Sequence, residues 1–332
     1  MHSSNLCAII GSGSFGASLA ISLSHIQEVY LWGRNKDKMN ILDKNRAHPS
    51  LPNIIFPSKL IIENNLGIIF KNSKYIIIAV PSFGFNETLK KLKPFINSNH
   101  YLVITTKGID PINGRLMQQV IEETLGNIKF GILSGPTFAK EIASNLPTAI
   151  TLASKDLELA TKTQIRFHKN PNMSIYLTND TIGVQLGGAT KNIIAIATGI
   201  LDGAGFGANA RTSLITRGLV EIKALGVKLG AHERTFNGMS GIGDLILTCT
   251  DNQSRNRRLG ILLGQKTKIK DAIKEIEQVS EGYYNTKEIY SLAFKNRVSM
   301  PITEAIYKAL YCEKDISEVI DDLLTQQNLV EP

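Results

Sequence analysis

The sequence has little cysteine and no long apolar run. Its three cysteines among 332 residues, Cys7, Cys249 and Cys312, are far apart and lack CxxC spacing. This pattern argues against a disulfide framework and a zinc site, and it favours a reducing compartment. No apolar stretch reaches the roughly 20 residues of a membrane helix, and the N-terminus lacks the basic segment of a signal peptide. We therefore expect a cytoplasmic protein without membrane insertion.

The charge balance is basic, with a net charge of +8. Such an excess is compatible with nucleic-acid binding, with anionic small molecules, or with lysines spread over solvated faces. Only the segment "SRNRR" at 254–258 concentrates the positive charge. Charge alone does not decide between these classes.

The first half of the chain alternates short apolar segments with helical patterns, which indicates βαβ units and a parallel sheet. The segments that predict strands are "CAIIG", "EVYLWG", "KYIIIAVPS", "YLVITTKG", "KFGILSGP", "TAITLAS" and "MSIYLTND". Beyond Asp180, "TIGVQLGGATKNIIAIATGIL" predicts a long apolar helix, and the remainder has apolar residues at helical spacing. We expect an α/β Rossmann-like domain with a parallel-rich sheet over 1–180, followed by an all-α domain over 181–332.

A GxGxxG loop, formed by Gly11, Gly13 and Gly16, lies between the first predicted strand and its helix. The first glycine permits a tight turn, the second lets a pyrophosphate approach the backbone, and the third allows close helix–strand packing. A tight turn without a ligand is the alternative. Because further βα units follow, we favour a dinucleotide and include Ser14 and Phe15 among its candidate contacts.

The segment after the second strand, Gly33-Arg34-Asn35, contains no acidic residue. NAD-binding versions of this fold use an acid there to hold the ribose 2′-hydroxyl. A guanidinium would instead pair with a 2′-phosphate. Arg34 therefore favours NADP(H), and the alternative, in which Arg34 stacks on the adenine, leaves NAD(H) usable.

Six segments resemble the bacterial NAD(P)-dependent glycerol-3-phosphate dehydrogenases and occur in that family's order. They are "GSGSFG" at the glycine loop, "TKG" at 106–108, "GPTFAKE" at 135–141, "GGATKNIIAIATG" at 187–199, "GIGDLILTC" at 241–249 and "SRNRRLG" at 254–260. Together they cover nearly the whole chain. The resemblance implies a C-terminal domain like that of 6-phosphogluconate dehydrogenase. It also implies reversible reduction of dihydroxyacetone phosphate to sn-glycerol 3-phosphate, for phospholipid synthesis.

Lys191 is the candidate general acid/base. On a helix its neighbours Gly187, Gly188, Ile194 and Ala195 include no charge partner, and the glycines would admit a substrate close to the backbone. A lysine desolvated there would have a lowered pKa, suited to proton transfer near neutral pH. A lysine that snorkels to water is the alternative from the residues alone. The resemblance identifies Lys191 as the catalytic acid/base.

Further polar residues are grouped around that lysine by the resemblance. Lys107 ends the "YLVITT" strand, where it would be either a solvated lysine or a second cation at the substrate and cofactor. Asp244 and Thr248, four residues apart, would share one helix face. A helix-capping or turn role is the alternative for Asp244. The resemblance makes Lys107 and Asp244 catalytic, and it adds Thr248 and Asn192 to the substrate network.

The segment "SRNRR" is the candidate phosphate site. Ser254 can cap a helix, Arg255 can grip a phosphate with two hydrogen bonds, and Asn256 is a neutral donor. A solvated basic turn is one alternative; a nucleic-acid patch is disfavoured because interleaved aromatics are lacking. The resemblance assigns all three to the substrate, and Arg255 to the cofactor as well. It also implies substrate contacts at Gly135 and Thr137, and cofactor contacts at Ala139, Val279 and Glu281.

Two rival functions and one unassigned segment remain. A dehydrogenase of the β-hydroxy-acid or 6-phosphogluconate type is disfavoured by "GPTFAKE" and "SRN". A catalytically silent NADP(H) sensor would not need Lys107, Lys191 and Asp244 together.

The loop expected after Pro81, "SFGFN" at 82–86, departs from the family and is left without a role. The six histidines lack metal-ligand spacing, so we expect no metal; an apolar helical half is compatible with a homodimer.

Overall fold

The chain folds as two units, and the computed structural model describes residues 6–276 and 281–325. The first unit takes the chain up to Lys107 and then Leu116–Thr181. The second unit takes Gly108–Arg115 and the chain from Ile182 onward. A short segment of the first half therefore belongs with the second unit.

The first unit is built on an eight-stranded sheet of order β3-β2-β1-β4-β5-β6-β7-β8. Neighbouring strands are parallel, except that β6 and β7 are antiparallel. The predicted parallel-rich, Rossmann-like sheet is thereby confirmed. The strands are β1 (Leu6–Ile10), β2 (Val29–Trp32), β3 (Leu60–Ile62), β4 (Ser73–Ile78), β5 (Tyr101–Ile104), β6 (Phe130–Ser134), β7 (Thr148–Ala153) and β8 (Met173–Thr178).

Helices of the first unit cross between these strands. They are α1 (Ser14–Ser24), α2 (Lys36–Asn45), α3 (Leu66–Asn72), α4 (Ser82–Leu92), α5 (Met117–Leu125), α6 (Ala139–Ala143) and α7 (Leu157–Phe167), with a 3-10 turn at Lys93–Phe95. The core contains Ile9, Ile77 and Val103 from three adjacent strands, all fully buried. Burial of each such side chain contributes about 1.5–3 kcal/mol. This packing therefore fixes the positions of the strand ends, from which the candidate site residues of the first unit extend.

The segment 82–86 is not a loop, contrary to our expectation. It forms the first turn and a half of α4, directly after Pro81. Phe85 and Leu89, one helical turn apart, are 1% and 0% exposed. Burial of this apolar stripe explains why the segment is helical.

From Ile182 onward, the described residues of the second unit form helices and connecting turns without a strand, as predicted. They are α8 (Thr181–Gly203), α9 (Ala208–Lys228), α10 (Asp244–Thr250), α11 (Arg255–Gly264), α12 (Ile269–Glu275), α13 (Glu281–Lys295), α14 (Pro301–Tyr311) and α15 (Ile316–Leu324). A 3-10 turn at Glu233–Asn237 and a π-type turn at Met239–Gly243 precede α10. We expected no apolar stretch as long as a membrane helix, and among the described residues α8 alone contradicts this, because it has the length and apolar composition of a membrane span. Its most apolar window is wholly buried in the structure.

Glycines bring α8 and α11 into backbone contact. A Cβ at Gly199 would lie 2.2 Å from the carbonyl oxygen of Arg257, and one at Gly203 would lie 2.2 Å from that of Ile261. From the other helix, a Cβ at Gly260 would lie 2.1 Å from the carbonyl oxygen of Ile196. Only residues without a Cβ permit this approach. The close packing places the start of α11 beside the helix that carries Lys191.

Candidate active site

The glycine loop joins β1 to α1 with a backbone that two of its glycines make possible. Gly11 has a φ of +124°, and a Cβ there would lie 2.3 Å from the carbonyl oxygen of Ala79. A Cβ at Gly16 would lie 1.9 Å from the carbonyl oxygen of Gly11. Gly13 differs, because no atom lies within 4 Å of its Cβ position. The loop is tightly packed at both ends and open at its middle glycine.

The N-terminus of α1 opens from this loop. Gly13 is its N-cap, with no side-chain cap hydrogen bond, and the first turn contains no acidic residue. The first N–H groups of a helix lack partners within the helix and carry partial positive charge. Ser14 and Phe15 form this turn. The arrangement fits a pyrophosphate, which would bind the N–H groups without a competing carboxylate.

Lys107, Gly135, Thr137 and Phe15 come together in the first unit. Lys107 Nζ donates to the carbonyl oxygen of Gly135 at 3.2 Å and to Thr137 Oγ1 at 3.3 Å. The same ammonium lies 5.9 Å from the centre of the Phe15 ring, which belongs to the glycine-loop helix. Three of the residues expected at the substrate or cofactor, from distant parts of the sequence, are thus neighbours of Lys107. Ala139 lies close in sequence as the first residue of α6.

Arg34 lies beyond the carboxyl end of β2 on an exposed surface. Its Nη1 is 3.1 Å from Glu87 Oε2 on α4, and the two side chains are 73% and 72% exposed. An acidic side chain therefore lies beside Arg34, although the segment Gly33-Arg34-Asn35 contains none. Sequence reasoning missed Glu87 because it lies 53 residues from Arg34.

Lys191 is part of a buried ion pair in the second unit. Lys191 is 4% exposed and Asp244 is 0% exposed. The ammonium donates to the Asp244 carboxylate and, at 2.9 Å, to Thr248 Oγ1. The snorkelling alternative is wrong because the ammonium stays inside the protein. The neighbours of Lys191 on α8 provide no charge partner, as the sequence indicated. The carboxylate comes from Asp244 on α10, which the family resemblance had grouped with this lysine.

A glycine of α8 makes this pairing geometrically possible. A Cβ at Gly187 would lie 2.2 Å from the carbonyl oxygen of Ser240, in the turn before α10. The protein's own main chain, rather than a substrate, therefore occupies the space that we expected Gly187 to offer. The N-cap of α10 is Gly243, and the Asp244 side chain turns to Lys191 instead of capping the helix. Burial disfavours an ammonium and an adjacent carboxylate favours it, so the two effects oppose each other at Lys191.

The basic segment at 254–258 begins α11. The Ser254 hydroxyl accepts a hydrogen bond from the N–H of Arg257 at 3.2 Å, which makes Ser254 the N-cap, as predicted. Arg255 is half-buried, and burial lowers its pKa, partly offset by the nearby Glu281 carboxylate. Asn256 is buried, and its Oδ1 accepts from the N–H of Gly282 at 2.9 Å. The segment thus combines a capped helix start with a desolvated cation.

The start of α13 packs against both candidate substrate asparagines. A Cβ at Gly282 would lie 2.6 Å from Asn256 Oδ1 and 2.9 Å from the main-chain oxygen of Asn192. Glu281, the first residue of α13, therefore lies beside this cluster. Val279, the other expected cofactor contact on this segment, lies outside the described residues.

Arg257 holds the basic segment in place through contacts inside the protein, so it adds no exposed charge to that segment. It is 7% exposed and its guanidinium bonds the carbonyl oxygen of Cys249 at 3.1 Å, Asp202 Oδ2 at 2.5 Å and the Asn252 side chain. Asp202 also pairs with Arg211 at 2.8 Å. The sequence showed a run of like charges, and only the fold separates the buried Arg257 from the half-buried Arg255.

His48 contacts the glycine loop, a role that sequence reasoning also missed. Its Nε2 is 3.1 Å from the carbonyl oxygen of Ser12, and its Nδ1 accepts from the N–H of Ser50 at 3.1 Å. A carbonyl can only accept, so Nε2 carries the proton and the ring is neutral. Burial lowers the pKa of His48 below its ordinary 6.5, and the hydrogen bond to Ser12 opposes this in part. The irregular segment around it has no periodic pattern that would have signalled the contact.

Within residues 6–276 and 281–325, no group of three or more histidine, cysteine, aspartate or glutamate side chains has the geometry of a metal site.

The glycine loop, the helix N-terminus and the strand order define a Rossmann-like dinucleotide-binding protein with a helical second unit. Comparison with known proteins narrows this class. Residues 7–160 match the family model described as NAD-dependent glycerol-3-phosphate dehydrogenase N-terminus, and residues 180–321 match that for the C-terminus.

The chain belongs to the NAD-dependent glycerol-3-phosphate dehydrogenase family. It is 51% identical over 326 residues to glycerol-3-phosphate dehydrogenase [NAD(P)+] of Mannheimia succiniciproducens, covering 97% of each chain. It is 52% identical over 323 residues to that of Haemophilus ducreyi, covering 96% of each. The crystal structure of glycerol-3-phosphate dehydrogenase from Coxiella burnetii is similar, with a TM-score of 0.94 and 39% identity, covering 97% of this chain and 99% of that one. The resemblance inferred from the six sequence segments is thereby confirmed.

Proposed function

We propose that this chain reduces dihydroxyacetone phosphate to sn-glycerol 3-phosphate, with NADPH as the favoured hydride donor and NADH as a second one. The observation that carries the proposal is the buried Lys191–Asp244 pair on helices adjoining the capped basic segment. In cells the reaction would supply glycerol phosphate for phospholipid synthesis in the cytoplasm. The division of labour is a cofactor domain over 1–180 and a substrate domain over 181–332.

Lys191 is the proton donor in this mechanism. When bound, the nicotinamide would supply or accept a hydride at the carbon that bears the oxygen. As that oxygen becomes an alkoxide, the ammonium of Lys191 gives it a proton, and in the reverse direction the amine accepts the hydroxyl proton. The adjacent Asp244 carboxylate favours the ammonium over the amine, so the amine left after proton transfer would take up a proton from water before the next turnover. Thr248 holds the ammonium at a fixed position through its hydroxyl.

The substrate phosphate requires a separate cation. Arg255 is half-buried at the start of α11, where a guanidinium makes two hydrogen bonds to a phosphate. Ser254 and Asn256 flank it and orient the same helix start. We assign the phosphate to these three residues. The family resemblance also assigns Lys107, Gly135 and Thr137 to the substrate.

The cofactor would lie along the glycine loop of the first unit. Gly11, Gly13, Ser14, Phe15 and Gly16 would hold its pyrophosphate by main-chain N–H groups. Arg34 would hold a 2′-phosphate when one is present. The nicotinamide end would contact a set inferred from family resemblance: Lys107, Ala139, Arg255, Val279 and Glu281.

The proposal is tested by recording nicotinamide absorbance after dihydroxyacetone phosphate is added to protein and NADPH. Rapid loss of the NADPH band is expected, with a β-hydroxy acid and 6-phosphogluconate, each with NADP+, as negative controls. Turnover of one of those substrates would favour the rival dehydrogenase classes. Binding of NADPH without any turnover would favour the silent sensor.

Cofactor preference has its own test at Arg34. Replacing Arg34 with Asp puts a carboxylate where the 2′-phosphate would bind, so KM for NADPH should rise well above that for NADH. An unchanged KM for NADPH would show that the 2′-phosphate is held elsewhere. The parallel NADH measurement controls for damage to the glycine loop.

A further inference from the structure

The partner of Arg34 on α4 offers a second determinant of cofactor choice. Glu87 and Lys91 are four residues apart on α4, the spacing at which glutamate and lysine commonly pair along a helix. In this structure Glu87 instead contacts Arg34 at 3.1 Å, while Lys91 Nζ lies 5.1 Å from the centre of the Trp32 ring. Both α4 side chains are thus directed to the carboxyl end of β2.

A cavity of about 440 Å³, open to solvent, is lined by Arg34 and Lys91, and Glu87 lies outside its lining. That volume is within the range of about 300–1,000 Å³ found for small-molecule sites. Its charged lining comprises Arg34, Lys36, Lys91 and Glu63. The Glu63 carboxylate accepts a hydrogen bond from the N–H of Asn65 at 2.7 Å, which offsets part of its negative charge. The cavity therefore offers an anion three cationic side chains beside the end of β2.

We infer that Glu87 sets cofactor choice together with Arg34: Arg34 favours a ribose with a 2′-phosphate, and Glu87 favours one with a 2′-hydroxyl. This inference rests on the proposed use of NADPH and NADH. A 2′-phosphate must compete with the Glu87 carboxylate for the Arg34 guanidinium, and it is repelled by that carboxylate. A 2′-hydroxyl, by contrast, can donate to the carboxylate. Glu87 accordingly strengthens the binding of NADH and weakens the binding of NADPH. It lies on α4, whereas the acid that usually holds the ribose directly follows β2.

The high exposure of the pair is consistent with this role. An ion pair with both side chains more than 70% exposed contributes little to folding stability. Its loss should therefore leave the fold intact while changing the charge that a ligand meets. Glu28 provides a matched control, because it is an exposed acid at the amino end of β2, the opposite end from Arg34.

The test uses the full chain and two binding probes that require no turnover, 2′,5′-ADP and 5′-AMP. In Glu87→Gln, the affinity for 2′,5′-ADP should rise about 5-fold, the scale of one exposed charge pair, and the affinity for 5′-AMP should fall. Glu28→Gln should change neither affinity. In the Arg34→Ala background, Glu87→Gln should have a smaller effect on 2′,5′-ADP, because the competition for Arg34 is gone.

Equal affinities of wild type and Glu87→Gln for both probes would overturn the inference. A parallel rise for both probes would also overturn it, since that would show a general charge effect without ribose discrimination. With the wild-type enzyme active, kcat/KM for NADPH relative to NADH should rise in Glu87→Gln. Failure of the wild type to oxidise NADPH with dihydroxyacetone phosphate would refute the proposed function. The titrations with 2′,5′-ADP and 5′-AMP need no turnover, so they test the role of Glu87 independently of that result.

Discussion

Lys191 donates a hydrogen bond to Thr248 Oγ1 at 2.9 Å, and the same hydroxyl donates its single proton to the main-chain oxygen of Asp244 at 2.6 Å. Because that proton is committed to the helix, the hydroxyl presents a lone pair to Nζ. The Asp244 carboxylate likewise only accepts while ionised. The site thus holds Lys191 as a donor from two directions, which suits a residue that must give up a proton and regain it.

Asp244→Asn should weaken both the fold and the catalytic cycle. Removal of one partner from a buried ion pair costs about 3–5 kcal/mol because the other charge remains buried. The remaining lysine should also hold its proton less firmly, so kcat for the reduction should fall at lower pH than in wild type. Denaturant unfolding and a pH profile of kcat measure the two effects, with the exposed Asp271→Asn as control. Wild-type stability together with an unshifted profile would remove Asp244 from this role.

Arg255→Ala should lower kcat/KM for dihydroxyacetone phosphate. The loss of transition-state stabilisation should be about 1.5–3 kcal/mol, the scale of a hydrogen bond to a charged group. Binding energy from the phosphate holds the carbonyl in position, so part of the loss should appear in kcat. Dihydroxyacetone, which has no phosphate, should be affected far less. Arg255→Lys should recover only part of the loss, because an ammonium lacks the planar fork.

The decisive quantity for Arg255 is the ratio of kcat/KM for the two substrates. Arg258→Ala, three residues further along α11 and exposed, is the matched control and should leave the ratio near wild type. A wild-type ratio in Arg255→Ala would mean that another cation, such as Lys107, binds the phosphate.

Arg257→Lys tests positioning of the phosphate segment. The lysine can still pair with Asp202 but cannot also bond the carbonyl of Cys249 and the side chain of Asn252. We expect KM for dihydroxyacetone phosphate to rise several-fold while kcat changes little, and Arg257→Ala to be worse on both KM and stability. Reduced unfolding stability with an unchanged KM in both variants would show that Arg257 supports the fold alone.

His48 predicts a pH dependence of stability in the first unit. Its pKa in the folded chain is lowered by burial, so the unfolded chain binds more protons between that value and 6.5. The contribution of His48 is therefore complete above pH 6.5 and is lost as the pH falls through the folded pKa. His48→Asn should flatten this part of the stability profile, measured by denaturant unfolding. The exposed His25→Asn is the control, and a profile that stays steep in His48→Asn would contradict the assignment.

The strands and the long central helix were predictable because their apolar segments are strong and local. The three-residue strand β3 was not, since Leu60–Ile62 carries too short a pattern and is stabilised by pairing with β2. Local spacing also placed Asp244 and Thr248 on one helix face. It could not show that Lys191 lies opposite them, because that contact depends on the packing of Gly187 against Ser240.

Charge pairing between distant segments was the main limit at the site. Three arginines illustrate it: Arg34 is paired with Glu87, Arg257 is buried against Asp202, and Arg255 is half-buried. In the sequence they differ only in their neighbours. Burial and partner, which decide whether a guanidinium binds a ligand or the protein, are properties of the folded chain.

Lys191→Ala tests the central claim, that this residue transfers the proton in reduction of dihydroxyacetone phosphate. The measurement is kcat with NADPH, together with NADPH affinity by fluorescence titration and a check that the variant is folded. The exposed Lys228→Ala serves as the control. We predict that kcat falls by about 100-fold or more, the scale of general acid catalysis, with NADPH affinity unchanged. Near-normal turnover by a folded Lys191→Ala protein would contradict the account.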